Sequence, residues 1–248
     1  MPAISESKYL VTAGMDDVPH IAADVKASIL RDTPAHLRAA RVNGTPSLGS
    51  GAIYPYDEQD FIVTPFMLPD WWPRGYGMDV GWNRTAVTWG ALDREQDILY
   101  LYGEHYRAEA QPAVHAGAIQ ARGKWIRGVI DPASAGASQV DGTRLIEVYR
   151  SLGLNIEPAE NSVEAGILSV NDRLSTGRMK VFSNLSNWRR EFRLYRRDEK
   201  GRIVKKDDHL MDTTRYLVVT GIGRMTVRPH AARPEDTRSS IADPTAGY

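Results

Sequence analysis

The sequence predicts a mixed α/β protein, in which an antiparallel meander and parallel strands share one sheet flanked by helices. Three observations carry that expectation. Residues 76–102 contain three short β-rich runs separated by tight polar turns. Beyond them, apolar runs of strand length alternate with segments of helical periodicity. The chain of 248 residues, 42% apolar and 25% charged, has an ordinary globular composition and can bury a sizeable core.

The first part of the chain is loosely built. Pro19 to Asp24 opens a helix to about Leu30, Pro34 starts a second through Arg41, and Gly44, Pro46, Gly49 and Gly51 break the chain. Ala52 to Met67 reads as short strands around Pro55 and Pro65, with a turn over Pro69 to Pro73. Apolar residues are too sparse in 1–70 for an independent core, so this stretch reads as a linker or a fragment of a neighbouring domain.

From Gly75 the pattern is regular. Tyr76 to Val80, Thr85 to Leu92 and Ile98 to Tyr102 are strands, and the turns between them make a meander. Pro112 opens a helix to Arg122, because a first-turn proline forfeits no helical hydrogen bond. Val129 to Asp131 is a short strand. Asp141 is expected to cap a helix through Leu152 that Gly153 stops. Asn155 to Glu157 is a strand, Val163 to Ser175 a helix, Met179 to Phe182 a strand and Ser186 to Tyr195 a basic helix. Arg196 to Lys206 reads as a hairpin turning at Glu199-Lys200-Gly201, and Asp208 to Thr220 as a last helix. After Gly223 the tail, rich in Pro, Arg, Ser and Asp, is expected to be disordered. This is the element order of the ribonuclease H-like fold.

Composition limits the chemistry. The chain has no Cys, which excludes a disulfide scaffold, thiol catalysis and a cysteine zinc site. No apolar run approaches the roughly 20 residues that span a bilayer, and no signal peptide is legible, so a soluble intracellular protein is expected. The charge is balanced, 31 basic against 31 acidic residues, yet the balance is a cancellation. Residues 1–70 carry five basic and nine acidic side chains, a net of −4. Residues 173–206 carry twelve basic and three acidic ones, a net of +9, interleaved with Trp188, Phe192 and Tyr195. Such a stretch suits a surface that meets phosphates, and it could equally be a solvated face.

Two acids stand at strand ends: Asp79 in Gly77-Met78-Asp79-Val80-Gly81 and Asp131 in Val129-Ile130-Asp131-Pro132. A carboxylate inside an apolar strand is costly unless a partner or a metal offsets the burial, and the carboxyl edge of a sheet is where ligands bind. Each could also cap a turn. The third cluster is Asp207-Asp208-His209-Leu210-Met211-Asp212. Asp208, His209 and Asp212 share a helix face, with Asp208 expected to be the N-cap. Three acids on separate elements, in a chain without thiols, suggest a hard-cation site for two Mg²⁺ or Mn²⁺ ions suited to phosphodiester hydrolysis. Glu104 reads as a surface acid, and Trp71, Trp72 and Trp82 as packing residues.

Gly77-Met78-Asp79-Val80-Gly81-Trp82, Gly128-Val129-Ile130-Asp131-Pro132 and above all Asp208-His209-Leu210-Met211-Asp212-Thr213-Thr214-Arg215-Tyr216 resemble the nuclease domain of tailed-phage terminase large subunits. The last resembles that family's D-H-x-M-D-A-x-R-Y helix, with Thr213 in place of Ala. The resemblance implies a metal-dependent endonuclease of low sequence specificity that cuts concatemeric viral DNA during packaging. Asp79, Asp131 and Asp212 would match the metal-binding acids, with His209 orienting a carboxylate or touching substrate. The hairpin would lie near the active site, and Arg189, Arg190, Arg193, Arg196, Arg197, Lys200, Arg202, Lys205 and Lys206 would meet DNA. Implied partners are double-stranded DNA, the portal protein and the terminase small subunit, in the cytoplasm of the infected bacterial host.

The expected domains are 1–50, a linker or remnant of the packaging ATPase, 51–222, the nuclease, and 223–248, the tail. No G-x-x-x-x-G-K-[ST] loop is present, so translocation by this polypeptide alone is not expected and a truncated piece is. The alternatives are a transposase or junction resolvase, an actin-like phosphotransferase lacking its second phosphate loop, and a non-catalytic DNA-binding or docking module of a packaging complex.

Overall fold

The computed structural model describes residues 3–5, 8–9, 14–33, 42, 51–136, 144–198 and 200–229. Its centre is one seven-stranded sheet. In chain order the strands are β3 (Ile62–Val63), β4 (Arg74–Asp79), β5 (Thr85–Asp93), β6 (Ile98–Arg107), β7 (Arg127–Ile130), β8 (Ile156–Pro158) and β9 (Met179–Phe182). A separate antiparallel pair, β1 (Ala3–Ser5) and β2 (Lys8–Tyr9), lies outside that sheet. The spatial order is β3-β9-β6-β5-β4-β7-β8. Strands β4, β5 and β6 form the antiparallel meander, and β7, β8, β9 and β3 add parallel to its two sides. The predicted mixed sheet is therefore the observed one.

The helices are α1 (Ala23–Asp32), α2 (Glu58–Phe61), α3 (Pro112–Gln120), α4 (Leu145–Ser151), α5 (Val163–Ser175), α6 (Ser186–Leu194) and α7 (His209–Tyr216). Strand alternation sorts α2 to α7 onto two faces. Tyr76, Met78, Val87 and Trp89 pack with Ala116, Ile119, Ile146 and Tyr149 of α3 and α4. Leu99, Leu101 and Val181 pack with residues of α5, α6 and α7, including Ile167, Trp188 and Leu210. Strand β5, in the middle, is buried at all nine positions.

Several expectations change. The first helix begins at Ala23, and the predicted helix over 34–41 and the Asp141 cap lie outside the described residues. In 52–67 only Ile62–Val63 is a strand, while Glu58–Phe61 is a helical turn capped by Asp57. This segment is no linker, because Tyr54 and Phe61 are buried in the main core. Strand β6 runs five residues past Tyr102, because its polar members Glu104 and His105 find partners on the neighbouring helices. The last helix ends at Tyr216 and continues as a π turn, Leu217–Gly221, and a 3₁₀ turn, Ile222–Arg224. The folded body extends past 223: Met225 is buried, and Thr226 exchanges two backbone hydrogen bonds with Arg74, at 2.8 and 3.1 Å. Residues 230–248 of the tail lie outside the described residues. Among the described residues no helix is long and apolar enough to cross a membrane.

Candidate active site

Register alone brings two of the acids together. Strands β4 and β7 are parallel with Met78 opposite Ile130, so Asp79 and Asp131 follow one step later at adjacent carboxyl ends. The Asp131 N–H donates to Met78 O at 2.9 Å, which fixes that step. On the other side Asp79 pairs with Ala86 of β5, and Ala86 with Tyr106 of β6. Asp131, Asp79, Ala86 and Tyr106 thus form one row across four strands.

Helix α7 lies over this row because the sheet has no side chain in its way. A Cβ on Gly77 would stand 2.1 Å from Thr213 O, so only glycine lets the helix backbone approach β4 this closely. The Thr213 and Thr88 hydroxyls hydrogen-bond at 2.6 Å in the interior and lock α7 to β5. Thr213, where the resembled motif has Ala, therefore brings its own partner. From the other side the Trp188 indole N–H donates to the Thr214 hydroxyl at 2.8 Å.

Two further carboxylates set the helix ends. Glu104 on β6 accepts from the Asn187 and Trp188 N–H groups at 3.0 and 2.8 Å and so caps α6; it is no plain surface acid. Glu191 on α6, 0% exposed, accepts from the Leu210 N–H at 2.5 Å and the Tyr106 hydroxyl at 2.5 Å. It supplies the cap expected of Asp208, whose side chain makes no cap hydrogen bond. Asp208 is buried and pairs with Lys205 at 3.4 Å. Glu104 and Glu191 escaped the sequence reading because each caps a helix of another element, which no local spacing betrays.

Each acid of the trio already has a protein partner. Asp79 Oδ2 meets His209 Nδ1 at 2.8 Å. Asp131 Oδ1 accepts from the Ala133 N–H at 3.0 Å, so its capping role is real, and from the Tyr216 hydroxyl at 3.3 Å. Asp212 accepts from Arg215 at 3.0 Å and lies 3.6 Å from Lys205. Arg215 is 1% exposed, and its stem fills the space left by Gly166, where a Cβ would stand 2.3 Å from Arg215 Cγ. Burial raises the Asp79 carboxyl above its ordinary value; the His209 hydrogen bond opposes this, and the charges of Asp212 and Asp131 add to it. The bond to Asp79 raises His209 in turn, against burial, which favours an imidazolium. The trio is thus electrostatically coupled and made of hard oxygen donors. As the side chains lie, no group of three His, Asp or Glu among the described residues closes around a single point.

The basic stretch divides in three dimensions. Arg189 and Arg193 both bind Glu58, the former at 2.6 Å, and Arg197 binds Glu164 at 2.6 Å. Lys205 faces Asp208 and Asp212, and Arg202 pairs with Asp198 at 3.4 Å. The net of +9 therefore overstates the free positive surface, because acids distant in sequence neutralise part of it. The hairpin forms: Arg197 bridges Ile203, Asp198 N–H donates to Arg202 O at 2.7 Å, and Gly201 takes φ 75°. Arg190 instead donates to the Tyr106 hydroxyl at 3.1 Å. Trp72 stacks on Tyr100 as a packing residue, whereas Trp71 and Trp82 stay 71% and 67% exposed.

Comparison with known proteins adds an independent line. A family described as terminase RNaseH-like domain matches residues 76–220, from β4 through the π turn. The terminase large subunits of Enterobacteria phage LP7 and Salmonella phage P22 are each 32% identical over 222 residues, which is 86% of this chain. The match covers 46% and 44% of those proteins, so the chain spans about half the length of the curated relatives it matches. The P22 large terminase nuclease domain superposes with a TM-score of 0.66 at 30% identity, covering 72% of this chain and 96% of that domain. The large terminase of thermophilic bacteriophage D6E shares the fold, with a TM-score of 0.61 at 22% identity over 84% of this chain and 55% of that one. The matched span contains the whole Asp79, Asp131, His209 and Asp212 constellation, and this chain belongs to the terminase RNaseH-like domain family.

Proposed function

We propose that this chain is a divalent-metal-dependent DNA endonuclease that cuts concatemeric viral DNA with little sequence specificity during genome packaging. The observation that carries the reading is the single row of Asp131 and Asp79 at adjacent parallel strand ends, with the Asp212 helix lying over it. The kinship with the P22 large terminase nuclease domain supports it. Asp79, Asp131 and Asp212 would hold two Mg²⁺ or Mn²⁺ ions, for which an all-oxygen donor set is suited. Bound there, such ions activate water and neutralise charge on a phosphodiester.

The chain's own residues prepare that chemistry. Arg215 takes Asp212 Oδ1 from inside the protein and fixes the carboxylate's orientation, leaving Oδ2 toward Lys205 and the open side. Tyr216 does the same for Asp131. His209 keeps a proton on the Asp79 edge of the site, where it can bond a phosphate oxygen or steady Asp79. On this reading the substrate is double-stranded DNA, the working partners are the portal protein and the terminase small subunit, and the setting is the cytoplasm of the infected host.

The test combines cleavage with direct metal binding. Asp79→Asn, Asp131→Asn and Asp212→Asn should each abolish Mn²⁺-dependent nicking of supercoiled plasmid, leave thermal unfolding cooperative, and weaken Mn²⁺ binding by calorimetry. Full cleavage by the Asp212 variant would remove that residue from the site. Cleavage that persists in excess chelator would end the metal-dependent reading altogether.

A further inference from the structure

The row of four strands that holds Asp131 and Asp79 ends at Tyr106, and Tyr106 gathers positive charge. The Arg84 guanidinium carbon lies 4.3 Å from the Tyr106 ring centroid, and that of Arg190 lies 5.4 Å from it. Arg190 also donates to the Tyr106 hydroxyl at 3.1 Å, while that hydroxyl gives its proton to Glu191 at 2.5 Å. Among the described residues neither Arg84 nor Arg190 forms an ion pair, in contrast to Arg189, Arg193 and Arg197 nearby. His209 bridges to the acids: it bonds Asp79 at 2.8 Å and its ring centroid lies 6.5 Å from that of Tyr106.

Neighbouring strands lie about 4.8 Å apart, so Asp79 and Tyr106, two strands apart in one row, are separated by roughly 10 Å at the backbone. Side chains reaching inward from those two positions span the shorter distance between neighbouring phosphates of one nucleic-acid strand, as His209 and Tyr106 do with ring centroids 6.5 Å apart. A guanidinium held against an aromatic ring is pre-oriented and keeps most of its five N–H groups available, and such a fork can grip two phosphate oxygens at once. None of the three residues belongs to the motifs that carry the acids; Arg84 follows a turn, Tyr106 ends a strand and Arg190 rides on a helix.

We infer that Arg84 and Arg190, set by the Tyr106 ring, grip a backbone phosphate of the DNA strand next to the phosphate that faces Asp79 and Asp131. Tyr106 is the positioning residue of this clasp, and Glu191 ties it to the end of α7. The inference rests on the proposed nuclease reading for which strand is gripped, but the clasp itself is measurable without cleavage.

The experiment measures binding of a duplex DNA oligonucleotide across a range of salt concentrations, with Asp79→Asn as the parent protein so that nothing is cut. Arg84→Ala and Arg190→Ala should each weaken binding roughly tenfold and lower the slope of log affinity against log salt by about one. Arg190→Lys, which keeps the charge and the fold, should keep the slope but lose affinity several-fold, since a point charge cannot reproduce the fork. Tyr106→Leu should behave like the lysine variant. Unchanged slopes in both alanine variants overturn the inference, as does full affinity in Arg190→Lys or no measurable DNA binding by the parent. If the slopes fall while the unmutated chain never cleaves plasmid, the clasp stands and the nuclease reading falls. If plasmid is cleaved and the slopes do not move, the reverse holds.

Discussion

Replacing Gly77 by Ala tests the packing that brings the acids together. The added Cβ would stand 2.1 Å from Thr213 O and 3.2 Å from Leu217 N, both backbone atoms of the helix over the sheet. The first contact falls about 1.3 Å short of the 3.4 Å at which ordinary contact begins, and a backbone carbonyl cannot rotate away as a side chain can. Helix α7 must therefore lift from β4. Overpacking of this kind costs about 1–3 kcal/mol. For a chain of this size that lowers Tm by about 3–10 °C. The functional cost should exceed the thermal one, because Thr213 is next to Asp212. A displacement of about 1 Å at a reacting centre can reduce turnover on the order of 100-fold. Differential scanning calorimetry and Mn²⁺-dependent plasmid nicking, run on the same preparation, measure both. Gly117→Ala is the control: nothing lies within 4 Å of its added Cβ on the exposed side of α3. It should be neutral or stabilise by up to about 1 kcal/mol. A Gly77→Ala protein with unchanged Tm and unchanged nicking rate would refute the claim that glycine sets the seat of α7.

Glu191→Ala would strand the buried Leu210 N–H and take the acceptor from the half-buried Tyr106 hydroxyl, and should cost about 1–3 kcal/mol. Denaturant titration checks this, and a loss under about 0.5 kcal/mol would show that the cap is replaceable. The His105 and His115 pair makes stability fall in acid. Burial first, then the charges of His115, Arg107 and Arg122, lower His105 to about 4, and burial also lowers His115. The unfolded chain therefore takes up protons below about 6.5 that the folded pair refuses, so this contribution is complete above that pH and is lost as pH falls toward 4. After halving for the partial exposure of His105, the loss at pH 5 is about 1 kcal/mol. His105→Gln should flatten the pH dependence of Tm between pH 7 and 5; an unaltered profile would show that the pair does not govern it.

The chain's order already contained most of the sheet. Alternation and turn residues mark β4, β5, β7, β8 and β9, and β9 over Met179–Phe182 matches its expected bounds, because strand-forming patterns are local. The ends of elements were less legible. Strand β6 outruns its apolar pattern, because Glu104 and His105 are satisfied by α6 and by His115, which are brought near only by the fold. The last helix changes to a π turn at Leu217, where it meets the sheet next to Gly75, Gly90 and Val129.

For the site, the sequence by itself determined which residues could do the chemistry: Asp79 and Asp131 at strand ends, and His209 and Asp212 one helical turn apart in the final motif. Strand register then made the first two neighbours. Only the tertiary structure decided how those groups are held and which charges remain available. It seats α7 through Gly77, caps it with Glu191 and neutralises Arg189 and Arg193 with Glu58. Among the described residues it leaves Arg84 and Arg190 without an ion pair, set against Tyr106. The reason is one of range. A strand or helix is chosen by neighbours a few residues along the chain, whereas a charge or an orphan N–H is satisfied by whatever lies within about 3–4 Å in space.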